Sequence, residues 1–300
     1  MSHATPDAPS PRNGYQWADM GPFIAVHLAV LAVFVTGVTW QAAVACAVLY
    51  VVRMWAITAG YHRYFAHRTY KTSRWFQFVL AFIAQTSSQR GALWWAAHHR
   101  AHHLYSDTER DLHSPARRGF WYSHMLWIYD HNDETDWKRI QDFAKFPELV
   151  WLNRYWVVPP IFLGFAVWLL LGWSGLVVGF FLSTVLVWHG TFTINSLSHV
   201  FGSRRYETTD TSRNNWLLAI ITLGEGWHNN HHHFMNSVRQ GFYWWEYDVT
   251  YYVLRALSWV GVVWDLKMPP ARVYAEAKKH ARGDAPLPSF SLEPALDPAE

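Results

Sequence analysis

Two long stretches of this 300-residue chain, residues 21–52 and 156–203, contain no Lys, Arg, Asp or Glu. Uncharged apolar runs of that length are too long for the core helices of a soluble domain. A bilayer span needs about 20 apolar residues to cover ~30 Å of hydrocarbon at 1.5 Å per residue, and each stretch has room for two. The expected spans are residues 22–38, 41–58, 156–173 and 175–195. They form two tight hairpins whose connections carry no charge. The Lys and Arg residues outside the spans then share the other side, which the positive-inside rule assigns to the cytoplasm. Trp40, Trp156, Trp173 and Trp188 fall near the span ends, where amphipathic rings favour the interface. Arg53 is a charge within a span, so it must either snorkel or face protein.

Between the hairpins, residues 75–89 are apolar but short and include Gln85 and Gln89, which suits an interfacial or protein-buried helix. Residues 60–155 and 196–280 are polar, aromatic-rich and helical in pattern, and should build a cytoplasmic cap. Residues 21–280 thus read as one domain. Residues 1–20, with Pro6, Pro9 and Pro11 and no signal-peptide core, read as disordered, as do residues 281–300 with Pro286, Pro288, Pro294 and Pro298. A net charge of +3 without a long basic run argues against a nucleic-acid partner. The single cysteine, Cys46, excludes an intramolecular disulfide and a cysteine-based metal site.

Histidine carries the functional signal, because its 18 copies cluster. His62 and His67 follow the second span. His99, His102 and His103 form one H-x-x-H-H box, and His228, His231 and His232 form another after Gly224-Glu225-Gly226-Trp227. His199 follows Asn195 at the end of the fourth span. In H-x-x-H-H the rings lie at i, i+3 and i+4, so on a helix all three project from one face. His62 and His67 would stand about 140° apart on an ideal helix, so the helix should end or unwind near Gly60 to bring them together. With an even number of spans, all nine histidines reach the same side of the membrane. Imidazole suits iron, copper, zinc and nickel, and nine ligands exceed the needs of one ion, so two metals are implied. The expected fold class is all-α: an integral, multi-pass membrane protein with four transmembrane helices in two hairpins and a helical cytoplasmic cap holding a di-metal site. A bacterial inner membrane with both termini cytoplasmic is the expected location. His27, His124, His131, His189 and His280 are read as hydrogen-bonding or structural residues, and His98 and His233 as neighbours of the boxes without a ligand role.

At these residues the chain resembles the membrane fatty acyl desaturases, closest to the stearoyl-CoA (delta-9) type, over roughly residues 60–242. The resemblance implies that the nine histidines bind two iron ions, with Asn195 holding a water on one of them. It implies that Gln89, Trp95 and Thr191 bend an acyl tunnel, and that Arg117 and Arg118, after Asp111-Leu-His113, make head-group contacts. Molecular oxygen is the implied co-substrate, and a separate ferredoxin or cytochrome with its reductase the electron donor. The sequence departs from the animal enzymes where an Arg-Asp pair contacts coenzyme A, having Ala97 and His98, and again at Asp130 and His131 in place of a basic pair. The acyl carrier is therefore left open among coenzyme A, a carrier protein and a membrane lipid. Three other readings are kept: a hydroxylase with the same irons, a non-catalytic membrane metal-binding protein, and a haem cytochrome using His27 and His189.

Overall fold

The computed structural model describes residues 17–130 and 134–281. His131 and most of the two termini expected to be disordered lie outside these residues, as does the side chain of His280. The described chain is mostly helical. The helices that position the site are α1 (Trp17–Val30), α2 (Trp40–Ala56), α3 (Arg74–Gln85), α4 (Ala92–Tyr105), α5 (Val158–Ser174), α6 (Ser183–Asn195) and α7 (His228–His233); Pro147–Arg154, Val249–Trp259 and Ala271–Ala281 are also helical, as are several shorter turns. Thr39 caps α2 by accepting the amide of Ala42 at 3.2 Å, and Ser73 caps α3 by accepting that of Phe76, each satisfying an otherwise unpaired helix-start donor. One two-residue antiparallel pair, Lys71–Thr72 with Val263–Trp264, departs from the all-α expectation.

Two helical runs are long and apolar enough to cross a membrane, Trp40–Ala66 and Val158–His199. The second folds back on itself at Gly172, whose φ of +65° is accessible to glycine at little cost. A Cβ on Gly164 would stand 3.2 Å from the ring of Phe180, eight residues beyond the fold as Gly164 is eight before it, which requires a hairpin. The other uncharged connection lies alongside: Ser174 Oγ accepts the amide of Thr39 at 3.1 Å and donates to the Gly37 carbonyl at 3.1 Å. The first apolar stretch is α1 followed by a short helical turn, Val33–Thr36.

Arg53 faces protein and does not snorkel. It is 1% exposed, donating to the carbonyls of Leu49 and Thr86 and to the hydroxyls of Thr184 and Ser183. Trp188 does not sit at an interface as expected. Its indole N–H donates to the Ser87 carbonyl at 2.7 Å and its ring stacks on Phe23, a buried polar group finding a buried acceptor. α3 is buried along one face (Gln77, Leu80, Ala81, Ala84 and Gln85) and exposes Trp75 on another, the protein-buried alternative for residues 75–89.

Near Gly60 the helical run begun by α2 unwinds and does not stop. It widens into a π-helix over Ile57–Ala66, closed after its last residue by the His67 amide bonding the His62 carbonyl at 3.1 Å. A π-helix repeats at i→i+5, so residues five apart stack on one face. That is how His62 and His67 come together, with ring centroids 4.8 Å apart.

Candidate metal centre

The nine histidines form two adjoining clusters. His62, His67, His99, His103 and His231 make one, and His102, His199, His228 and His232 the other; within each, the facing nitrogens all lie within 4.8 Å of one another. Each H-x-x-H-H box is divided between them. The i, i+4 pair of α4, His99 and His103, goes to the first cluster and His102 to the second; in α7, His228 and His232 go to the second and His231 to the first. On a helix i+4 lies about 40° past a whole turn and i+3 about 60° short of one, so the i, i+4 pair aims at one point and the i+3 ring at its neighbour.

Glycines position α7. A Cβ on Gly226 would meet the Ala219 amide nitrogen at 2.1 Å, and Gly224 has φ +128° against Asp248. The turn they permit puts Glu225 between them, with its carboxylate on His62 Nδ1. Behind it, Arg63 donates to Glu225 at 3.0 Å and to both oxygens of Asp248 at 2.9 and 3.0 Å.

The nitrogens facing inward fit a metal. Nε2 of His231 lies 3.1 Å from that of His62 and 2.9 Å from that of His103, while Nε2 of His99 lies 3.0 Å from His103 and 2.9 Å from His67. Adjacent ligands at right angles, each ~2.1 Å from one ion, would stand about 3.0 Å apart. The outward nitrogens fix the tautomers. His102 Nδ1 faces Asp111 at 2.9 Å, His232 Nδ1 faces Asp210 at 2.6 Å, and His199 Nδ1 bonds Thr211, which donates to Asp107 at 2.8 Å. An imidazole donating Nδ1–H to a carboxylate has only a lone pair left on Nε2. Lone pairs turned toward one another in a dry site repel, and a cation removes the repulsion. His232 Nε2 is accordingly buried with no hydrogen-bond partner.

Electrostatics favour deprotonation in most of the ligand set; at His102 burial is outweighed by Asp111, which raises it above the usual histidine range. Burial, then neighbouring histidines, holds His99, His103, His228 and His231 well below the usual histidine range. Burial would raise Asp111 and Asp210, yet His102 and His232 beside them keep both below the ordinary carboxylate range. Asp210→Asn would remove the acceptor of His232 Nδ1–H. We expect metal affinity about 10–100-fold weaker, the range for lost ligand-orienting partners, in competition titrations against a chelator. Unchanged affinity would deny Asp210 that role.

Two joined cavities lead to the histidines. The inner one, about 80 Å³, is lined by His62, His99, His102, His228, Asn195 and Thr191, among others. The outer one, about 850 Å³, is largely aromatic, and Gln89, Trp95, Trp127 and Phe192 line both. At the junction Gln89 Nε2 donates to Thr191 Oγ1 at 3.0 Å, and Trp95 stacks on His99 with centroids 4.9 Å apart. Arg117 and Arg118 line neither cavity. They pair with Glu109 at 3.0 Å and Asp130 at 2.6 Å.

The orienting carboxylates Asp107 and Asp210 went unremarked in the sequence, and Glu225 and His113 were seen only as flanks of the boxes, without a role; the His113 ring stacks on His102 at 4.3 Å. Asp111 and His113 gave a hint, by following the second box closely. His27 and His189, considered as a haem pair, touch at 3.1 Å through their Nε2 atoms, whereas opposed ligands of one iron stand about 4 Å apart, twice a bond of ~2.0 Å. They belong instead to a relay in which His189 Nδ1 meets His124 Nε2 at 3.0 Å and His124 Nδ1 meets Ser196 at 2.9 Å, fastening α1 to α6. His98 faces the Trp94 carbonyl and His233 faces Glu276, outside both clusters.

The family model described as fatty acid desaturase matches residues 38–263. The chain is 39% identical over 257 residues to delta-9 acyl-lipid desaturase 2 of Arabidopsis thaliana, covering 82% of this chain and 81% of that protein. It is 36% identical over 265 residues to sn-1 stearoyl-lipid 9-desaturase of Anabaena variabilis, covering 87% and 97%. With sn-2 palmitoyl-lipid 9-desaturase of Nostoc sp. (strain 36) it shares 38% over 212 residues, covering 69% and 74%.

Proposed function

The chain belongs to the fatty acid desaturase family, and from that premise we propose that it places a cis double bond at the delta-9 position of a saturated chain esterified in a membrane lipid. Two non-haem iron ions held by the nine histidines, with Asn195 holding a water on one, would serve the reaction. The observation that carries this reading is the convergence of nine imidazoles, in two clusters, on the inner end of an apolar cavity. The lipid-borne substrate is supported by the relatives' names and by Ala97 and Asp130 standing where a coenzyme A handle would need cations.

The irons, when bound, supply the oxidising power to break unactivated C–H bonds, which no side chain possesses. Two hydrogens leave adjacent methylenes. The substrate and an external donor each contribute two electrons, and oxygen leaves as two waters after taking two further protons from the medium. The donor would be a separate ferredoxin or cytochrome with its reductase. The chain's own residues decide where this happens. A saturated chain has no polar group near the reacting carbons, so the shape of the passage past Gln89, Trp95 and Thr191 selects them. The aromatic wall keeps bulk water out. In the membrane arrangement we propose, four spans form two hairpins and the site lies on the cytoplasmic side, beneath the headgroups.

Expression in a host lacking unsaturated fatty acids, followed by lipid analysis, tests this reading. Delta-9 monounsaturated chains in the glycerolipids are expected; hydroxylated chains in their place, or no new product, would contradict it. Thr191→Phe should shift the preferred chain length or bond position, changing the product ratio at least about tenfold, the scale of discrimination for one methylene in an apolar pocket. Unchanged products would remove Thr191 from the passage.

A further inference from the structure

Aromatic and aliphatic side chains wall most of the outer cavity, and Tyr129 is the one buried hydroxyl among its lining residues. Tyr129 ends the short turn Leu126–Tyr129. The next residue, Asp130, fastens that turn by accepting the Tyr122 hydroxyl at 2.7 Å and Arg118 at 2.6 Å. From the other side the Phe23 ring of α1 meets the Tyr129 ring edge-on, with centroids 6.0 Å apart. The phenol is thereby held in place and is 5% exposed.

Its hydroxyl is the anomaly. Six tyrosines are buried among the described residues, and Tyr61, Tyr64, Tyr70 and Tyr122 each donate to a protein acceptor at 2.7–2.9 Å. No described residue accepts from Tyr129 or Tyr206, and Tyr206 lines neither cavity. A buried phenol ordinarily finds an acceptor, and leaving one bare costs more than pairing it gains. Burial pushes the Tyr129 phenol well up, so the oxygen keeps its proton and stays a donor. In a cavity shaped to receive a ligand, the missing acceptor belongs to the ligand.

That acceptor must be neutral, because a phenol brings no charge to offset the burial of an anion. It must also be joined to a chain that fills apolar space and runs on to the histidines. An ester carbonyl meets both conditions, and the hydrocarbon beyond it offers no acceptor at all. Trp127 lines both cavities and Tyr129 only the outer one, so a chain held at Tyr129 passes Trp127 on its way inward. The Trp127 ring lies 5.0 Å from that of His113, which lies 4.3 Å from that of His102. Eight C–C bonds of ~1.52 Å advance about 10 Å along an extended chain, the same scale as those two steps together.

We propose that the Tyr129 hydroxyl donates to the carbonyl oxygen of the acyl ester and so sets the point from which the double-bond position is counted. The counting rests on the desaturase reading; the hydrogen bond is visible without turnover.

The test offers the full chain, purified in mild detergent, methyl stearate and octadecyl methyl ether together. Mass spectrometry reads the bound ratio, corrected for partition into empty micelles. The two ligands match in length and apolarity, but only the ester has a carbonyl. The unsubstituted protein prefers the ester about fivefold, the scale of one neutral hydrogen bond. Tyr129→Phe keeps the ring against Phe23 and loses the preference. Tyr206→Phe, which removes the other unpaired phenol, retains it. In lipids of expressing cells, Tyr129→Phe raises the share of double bonds one carbon to either side of delta-9 at least fivefold. Equal ester preference in the unsubstituted protein and Tyr129→Phe would overturn the proposal, as would a bond position equally uniform in both. Because the competition involves no turnover, a preference lost with the hydroxyl in a chain that never desaturates would support the hydrogen bond and contradict the desaturase reading.

Discussion

Replacing His102 by alanine is expected to abolish turnover and to leave no more than one tightly bound metal ion per chain. His102 supplies one of the four nitrogens of the second cluster, and its other nitrogen meets Asp111, whose side chain is fully buried. The substitution would remove a ligand and at the same time strand an anion in a dry site, which opposes the arrangement the remaining three histidines need. His233→Ala is the matched control. That ring stacks on Tyr206 and bonds Glu276 at 2.7 Å, so both metal ions and turnover should survive. Metal analysis of the two purified variants reads the difference directly. Two ions retained by His102→Ala would overturn the ligand assignment.

Arg63→Met is expected to have the largest effect on stability, about 3–5 kcal/mol, the usual loss when one partner of a buried ion pair is removed. Arg63 is 1% exposed and bridges Glu225, Asp248 and the Val238 carbonyl. A methionine of similar length leaves two buried carboxylates without their cation. Glu225 also meets His62, so the metal centre should loosen with the fold. A thermal melt should fall by roughly 10 °C for a chain of this size, and adding Asp248→Asn should recover part of the loss by removing one stranded charge. A melting temperature within about 2 °C of the unsubstituted protein would show that the network does not hold this region together.

The two long apolar helical runs were legible because charge-free stretches are visible in a sequence. The reversal at Gly172 lies beside an uncharged connection visible for the same reason, although the contact of Ser174 with Gly37 and Thr39 was not. The histidine boxes were legible because i, i+3, i+4 is a helix-face pattern. That pattern identifies a face but not the number of points the rings aim at, so the division of each box between two clusters needed coordinates. The pairing of His62 with His67 exposed a different limit. A fixed 100° per residue requires the α-helix to end or unwind without saying which, and the chain unwinds by widening its turns. Asp107, Asp210 and Glu225 left no periodic trace, because each reaches its histidine from a loop or turn fixed by tertiary contacts. Trp188 misled for a chemical reason: an amphipathic ring near a span end satisfies its N–H equally well at an interface or on a buried carbonyl such as that of Ser87.

The most direct measurement is metal content together with X-ray absorption at the iron edge on the purified, iron-reconstituted protein. Two irons per chain are expected, each surrounded by nitrogen and oxygen at about 2.0–2.2 Å with the outer-shell signature of imidazole rings. A stoichiometry at or below one, or a first shell without imidazole, would contradict a centre built by nine histidines.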